Sequence, residues 1–134
     1  ATGDERLSAA AGNWVWGSPV VSAGVVYFTD IGGTVFAVNA GDGTQKWAVT
    51  PGGGMRASPA VTADAVYVGD RAGQLFALDP ASGATRWTAS VGGELLGTPI
   101  VVNDSILLAP YKGDNLLAAY TTTGALAWAF APTK

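Results

Sequence analysis

Three tryptophans recur at a nearly fixed interval: Trp47, Trp87 and Trp128 stand 40 and then 41 residues apart. Each closes the same phrase. The first copy runs Asn39-Ala-Gly-Asp-Gly43-Thr-Gln-Lys-Trp47 and the second Asp79-Pro-Ala-Ser-Gly83-Ala-Thr-Arg-Trp87. The third runs Tyr120-Thr-Thr-Thr-Gly124-Ala-Leu-Ala-Trp128, with one extra residue in the unit ahead of its glycine. Such a period marks a repeat array. Each unit of an array buries its apolar faces only against its neighbours, so the chain has to fold as stacked copies of one small element.

The rest of the unit keeps the same beat. Ser18-Pro19-Val20-Val21 recurs as Ser58-Pro59-Ala60-Val61 and Thr98-Pro99-Ile100-Val101. Val26-Tyr27-Phe28 recurs as Val66-Tyr67-Val68 and Ile106-Leu107-Leu108. Val35-Phe36-Ala37-Val38 recurs as Leu75-Phe76-Ala77-Leu78 and Leu116-Leu117-Ala118-Ala119. The runs are short, rich in β-branched and aromatic residues, and separated by Gly, Asp, Asn and Pro, which is how strands and tight turns read. Several are continuously apolar rather than alternating, as strands buried on both faces are. No stretch carries a helical period with caps. Four short strands per unit, with sheets stacked face to face, predict an all-β fold of β-propeller blades, each of four antiparallel strands.

The register extends to the ends. Forty residues before Gly43 and Trp47 lie Gly3 and Leu7, so Thr2-Gly3-Asp4-Glu5-Arg6-Leu7 reads as the tail of a preceding unit with Leu in the Trp slot. The expected organisation is one outer strand and connection (residues 1–17), then blades at 18–57, 58–97 and 98–134. A propeller ring takes four to eight blades, so three form an incomplete ring. Two raw apolar blade faces would remain, and such faces mark association. Expected partners are a second copy, with a symmetric dimer giving a six-bladed ring, the remainder of a longer propeller, or another protein.

The phrase Asp/Asn-Ala/Pro-x-x-Gly-x-x-x-Trp, preceded by Ser-Pro-Val-Val and Val-Tyr-Val, closely resembles the pyrroloquinoline-quinone (PQQ) repeat family over residues 2 to 134. The resemblance implies a tryptophan-docking role: Trp47, Trp87 and Trp128 pack between neighbouring blades, and Gly43, Gly83 and Gly124 sit in the turn entering the outermost strand. The family includes quinoprotein dehydrogenases, the BamB-type lipoprotein of the outer-membrane assembly machinery, sensor domains of bacterial receptor kinases and other envelope proteins. It implies a periplasmic, cell-envelope or secreted location, with no signal peptide in this chain. Fold does not carry function, so three readings follow: a non-catalytic scaffold or protein-interaction module, an extracytoplasmic sensor or ligand-binding domain, and part of a PQQ-dependent oxidoreductase.

Composition narrows the chemistry. The chain has no cysteine and no histidine. No disulfide, thiolate nucleophile or imidazole base is therefore available. Seven basic residues against ten acidic ones leave a net charge of −3 and no basic stripe, so neither nucleic acid nor an anionic membrane surface is an expected partner. No apolar run approaches the length of a membrane span. The quinoprotein dehydrogenases enclose their quinone in a full ring and many use a vicinal cysteine pair, so no catalytic residue, cofactor or metal site is expected here.

Three features remain. Asp30 and Asp70 occupy equivalent positions, and paired carboxylates suit acid/base work or calcium. An Asp just past a strand is more commonly a turn cap. The Gly52-Gly53-Gly54 run lacks the Lys-Ser/Thr of a phosphate loop. Trp14 and Trp16 fall outside the Trp slot, in the connection between blades. Threading four strands down and up places that connection on one face with the loop between the second and third strands. That face is expected to carry Trp14, Trp16, Met55, Arg56, Arg71, Glu94, Leu96, Tyr111 and Lys112, a mixture suited to protein recognition. The competing readings are padding of the propeller's funnel and sealing of a seam with another chain.

Overall fold

A computed structural model of the chain describes residues 2–133. Twelve strands form three four-stranded sheets, each meandering in chain order. The first sheet holds β1 (Val20–Ser22), β2 (Val25–Thr29), β3 (Val35–Asn39) and β4 (Gln45–Val49). The second holds β5 (Ala60–Val61), β6 (Val66–Gly69), β7 (Gln74–Leu78) and β8 (Thr85–Ser90). The third holds β9 (Ile100–Val102), β10 (Ser105–Leu108), β11 (Leu117–Thr121) and β12 (Leu126–Phe130). All pairings are antiparallel. This is the all-β propeller architecture that the repeat demands.

The core lies between the sheets. One apolar cluster joins Tyr27, Val35, Ala37 and Trp47 of the first sheet to Val66, Val68, Phe76 and Leu78 of the second. Another joins Tyr67, Leu75, Ala77 and Ala89 of the second to Ile106, Leu108, Ala118 and Tyr120 of the third. The second sheet thus faces a neighbour on both sides, which is why β6 and β7 read as continuous apolar runs. Its Leu75 and Val66 are fully enclosed.

Cross-strand register places each tryptophan. Ala37 lies opposite Tyr27 on one side and Trp47 on the other. Ala77 sits likewise between Tyr67 and Trp87. The small central residue lets the two rings lean together across it, with centroids 6.0 Å apart in both sheets. The outer strand slips register just before each tryptophan, leaving Lys46, Arg86 and Ala127 outside the ladder. Such a bulge bends a strand and re-aims the side chain that follows.

Three expectations need correction. Residues 2–10 form no strand. A blade's outermost strand pairs with the third strand of its own blade, and these residues have no such strand beside them. Only the packing remains: Leu7 lies against Gly43, and a Cβ added there would fall 3.3 Å from its side chain. Second, Leu117 rather than Leu116 matches Leu75, because Leu108 pairs with Ala118 as Val68 pairs with Phe76. The loop after β10 is two residues longer than its counterpart, and the β11–β12 turn one residue shorter. The turn closes from Gly124 N–H to the Thr121 carbonyl, whereas Gly43 and Gly83 reach back to Asn39 and Asp79. The extra residue in the period is the net of these two changes. Third, Trp128 does not lie between two sheets. It is 48% exposed, on a strand exposed along its whole length.

Candidate recognition face

Two sets of loops meet at one end of the sheets. The connection ahead of each sheet binds the loop between its second and third strands through backbone hydrogen bonds. Ile31 N–H donates to the Trp14 carbonyl at 2.9 Å, and Arg71 N–H to the Gly54 carbonyl at 3.0 Å. Glu94 and Tyr111 exchange two such bonds, at 2.7 and 2.8 Å. These contacts repeat with the period of the sequence, so the face is a product of the array.

Two buried carboxylates fix the loops. Asp30 Oδ1 accepts from the N–H groups of Gly32 and Thr34, and Asp70 Oδ1 from those of Ala72 and Gln74. The carboxylates replace backbone partners that a tight loop leaves unsatisfied. Asp70 Oδ2 also accepts from Gly53 N–H at 3.0 Å, tying the loop to the connection between blades. Asp30 Oδ2 is buried with no partner. The third loop has Pro110 at this position and forms no such cap.

The side chains sort by depth. Trp14 and Trp16 are 76% and 64% exposed. The Arg56 guanidinium stands 5.3 Å from the centre of the Trp16 ring, within cation–π range. Arg71 Nε pairs with Glu94 Oε2 at 3.2 Å. Lys112, held at a positive φ of 58°, folds its ammonium to 5.1 Å from the Tyr111 ring. Leu96 is half-buried. Met55 does not belong to the exposed set: it is 0% exposed and plugs the seam between the first two sheets. Leu95 fills the same slot between the second and third. In these two connections the apolar residue turns inward and packs between the neighbouring sheets. Val15 holds that register position in the first connection and stays exposed.

The aromatic slots lie deeper. Trp47 Nε1–H donates to the Pro80 carbonyl and Trp87 Nε1–H to the Thr122 carbonyl, both at 2.9 Å. Each indole also covers the turn glycine of the next sheet: a Cβ added to Gly83 would fall 2.6 Å from Trp47 Cε3, and one on Gly124 2.8 Å from Trp87 Cε3. Burial raises the hydroxyl pKa of Tyr27, Tyr67 and Tyr120. No group of three or more acidic, His or Cys side chains suited to a metal forms among the described residues.

Comparison with known proteins gives this architecture a family. The family model described as outer membrane protein assembly factor BamB matches residues 1–55 and 48–134. Among solved structures, BamB from Moraxella catarrhalis superposes with a TM-score of 0.77 at 26% identity, covering 90% of this chain and 38% of that one. The quinohemoprotein alcohol dehydrogenase ADHIIG from Pseudomonas putida HK5 gives 0.80 at 27% identity, covering 91% and 21%. The quinohemoprotein alcohol dehydrogenase from Comamonas testosteroni, at 23% identity and a TM-score of 0.77, shares the fold. The chain spans well under half the length of each of these three. A search of curated proteins finds no match. The chain belongs to the BamB-like family of PQQ-repeat β-propellers.

Proposed function

We propose that the chain acts as a non-catalytic β-propeller scaffold of the cell envelope, recognising protein through its loop face. Its ring is completed by further blades of this repeat type, from a longer polypeptide or a second copy. The observation that carries the reading is the contrast among the three tryptophans. Trp47 and Trp87 are each covered by the next sheet, while Trp128 stands half exposed beside Leu126 and Phe130. An apolar sheet face of this kind marks association. The envelope location rests on the family's description as an outer-membrane assembly factor. No helix among the described residues is long and apolar enough to cross a membrane.

The loop face supports the recognition half. It exposes two tryptophans, a tyrosine and two arginines, the residue types that dominate binding energy at protein interfaces. Light scattering tests assembly: a mass at a multiple of 13.5 kDa supports completion by self-association, and a well-folded monomer rejects it, leaving completion by further blades. Trp14→Ala and Trp16→Ala test recognition, since loss of partner capture without loss of stability is the expected result. The likeness to a quinohemoprotein alcohol dehydrogenase at 27% identity favours a second reading, part of a quinone-dependent oxidoreductase. Titration with the quinone and calcium separates the two, because saturable quinone binding contradicts a purely scaffolding role.

A further inference from the structure

The two seams between sheets are built to one plan yet differ at the rim. In the first, the Pro80 carbonyl accepts from Trp47 Nε1–H at 2.9 Å and from the Tyr27 hydroxyl at 3.5 Å. In the second, the Thr122 carbonyl accepts from Trp87 Nε1–H alone among the described residues. The shorter β11–β12 turn accounts for the difference. It presents its acceptor two residues before the turn glycine rather than three. Among the described residues Tyr67, the counterpart of Tyr27, has no such carbonyl partner across the seam and lies instead near Thr62, Asp64 and Arg86. A cavity of about 270 Å³ opens at this point, with Tyr67 and Trp87 in its wall.

Apart from Ala65 and Val101, the rest of the wall is polar. Asp64, Arg86, Asn103 and Asp104 contribute to it. Arg86 is already engaged, donating to the Asp64 carbonyl and pairing with the Asp79 carboxylate at 2.6 Å. Asp64 and Asp104 pair with no cation among the described residues. Asn103 is held at a positive φ of 52° in the turn before β10. At the first seam the same register positions hold Gly24, Lys46, Ala63 and Asp64. One carboxylate thus recurs at the first seam as Asp64, and the facing pair is peculiar to the second, where packing of the repeat does not require it.

We infer that this cavity between the second and third sheets binds a primary alkylammonium group, held between the Asp64 and Asp104 carboxylates against Trp87 and Tyr67. An ammonium has three donors for two carboxylates and a phenol oxygen, and an aromatic wall attracts a cation. Two carboxylates without a third acidic ligand suit an organic cation better than a divalent metal. The cavity lies just below the usual size of drug-like sites, so the ligand is small: a free diamine or the tip of a lysine side chain.

The test is a titration of the isotope-labelled chain, following the Trp87 indole N–H by NMR. The probes are 1,5-diaminopentane, N-acetyl-lysine methylamide, and 1,5-pentanediol as the neutral isostere. Both amines are expected to bind saturably in the millimolar range while the diol does not. Tighter binding of the lysine derivative assigns a peptide source, and tighter binding of the diamine a free amine. The double variant D64N/D104N is expected to bind the amines at least about tenfold more weakly. Both side chains are exposed, so an unchanged denaturant midpoint shows that the fold is intact. Absence of saturable binding, equal binding of the diol, or undiminished affinity in the double variant each overturns the inference.

Discussion

The indole of Trp47 lies on Gly83 of the next repeat, so closely that a single methyl group there would sit 2.6 Å from Cε3. The contact spans almost one full repeat. It defines where one sheet must stand relative to the next.

Gly83→Ala is therefore expected to combine two penalties. The residue has a φ of +75°, where an L side chain is strained, and its Cβ would meet an immobile ring. Together these should cost about 3 kcal/mol. Gly24→Ala has the same φ and nothing within 4 Å, so it should cost only about 1 kcal/mol. Urea midpoints of the two variants separate strain from crowding. Equal losses would refute the packing role of Gly83.

Truncating the tryptophans should expose their unequal burial. Trp47→Ala removes a buried ring and an indole hydrogen bond, and about 3–5 kcal/mol of stability should go with it. Trp128→Ala in the monomeric chain should cost less than about 1 kcal/mol. Should the chain assemble through this face, Trp128→Ala will instead lower the assembled mass in light scattering.

The two loop aspartates should not respond alike to amidation. Asp70→Asn disturbs a carboxylate that accepts from three backbone N–H groups on two loops. A loss of about 2 kcal/mol is expected. Asp30→Asn keeps an acceptor for Gly32 and Thr34 and alters an oxygen that has no partner. Its loss should be smaller. Paired thermal melts decide the order, and equal destabilisation would argue against the Gly53 link.

Stability should be flat through neutrality and fall at both extremes of pH. The Arg86 guanidinium, then the N–H groups of Ala81 and Ser82, hold the Asp79 carboxyl below its ordinary pKa. Backbone and hydroxyl bonds from Thr44 do the same for Asp42. A depressed carboxylate stabilises the fold above its unfolded pKa, so that part is lost as pH drops below about 4. Burial raises Tyr27, Tyr67 and Tyr120. Their contribution is present below about pH 10 and is lost as pH climbs through the raised values. With no histidine in the chain, no side chain has an ordinary pKa between these limits. Urea unfolding at a series of pH values, with tyrosinate absorbance at the alkaline end, checks both flanks. A transition near pH 6.5 would contradict this account.

Much of the fold was readable because the repeat states it three times. Trp47 and Trp87 mark outer strands, and Ala37 and Ala77 mark the rows where ring meets ring. The third unit was harder. Two insertions and one deletion nearly cancel, so only the pairing of Leu108 with Ala118 reveals that Leu117 holds the Leu75 slot. The loop face was legible as a location and less so as a surface. Met55 and Arg56 are neighbours in sequence, yet one fills the seam and the other stacks over Trp16. Alternation at a loop has no strand ladder to announce it. The rim cavity left one trace, the 41-residue spacing, which carried no hint of the carboxylates around it.

The middle sheet is the one with a neighbour on each face, and that asymmetry has a kinetic meaning. In a linear array stability adds up from nearest-neighbour contacts. In this chain by itself, backbone amides of β6 and β7 should therefore exchange with deuterated solvent last, and those of β12 first. Opening would begin at the unprotected strand and travel inward one sheet at a time, so the molecule would lose its shape as a zipper does, from a free end toward the centre.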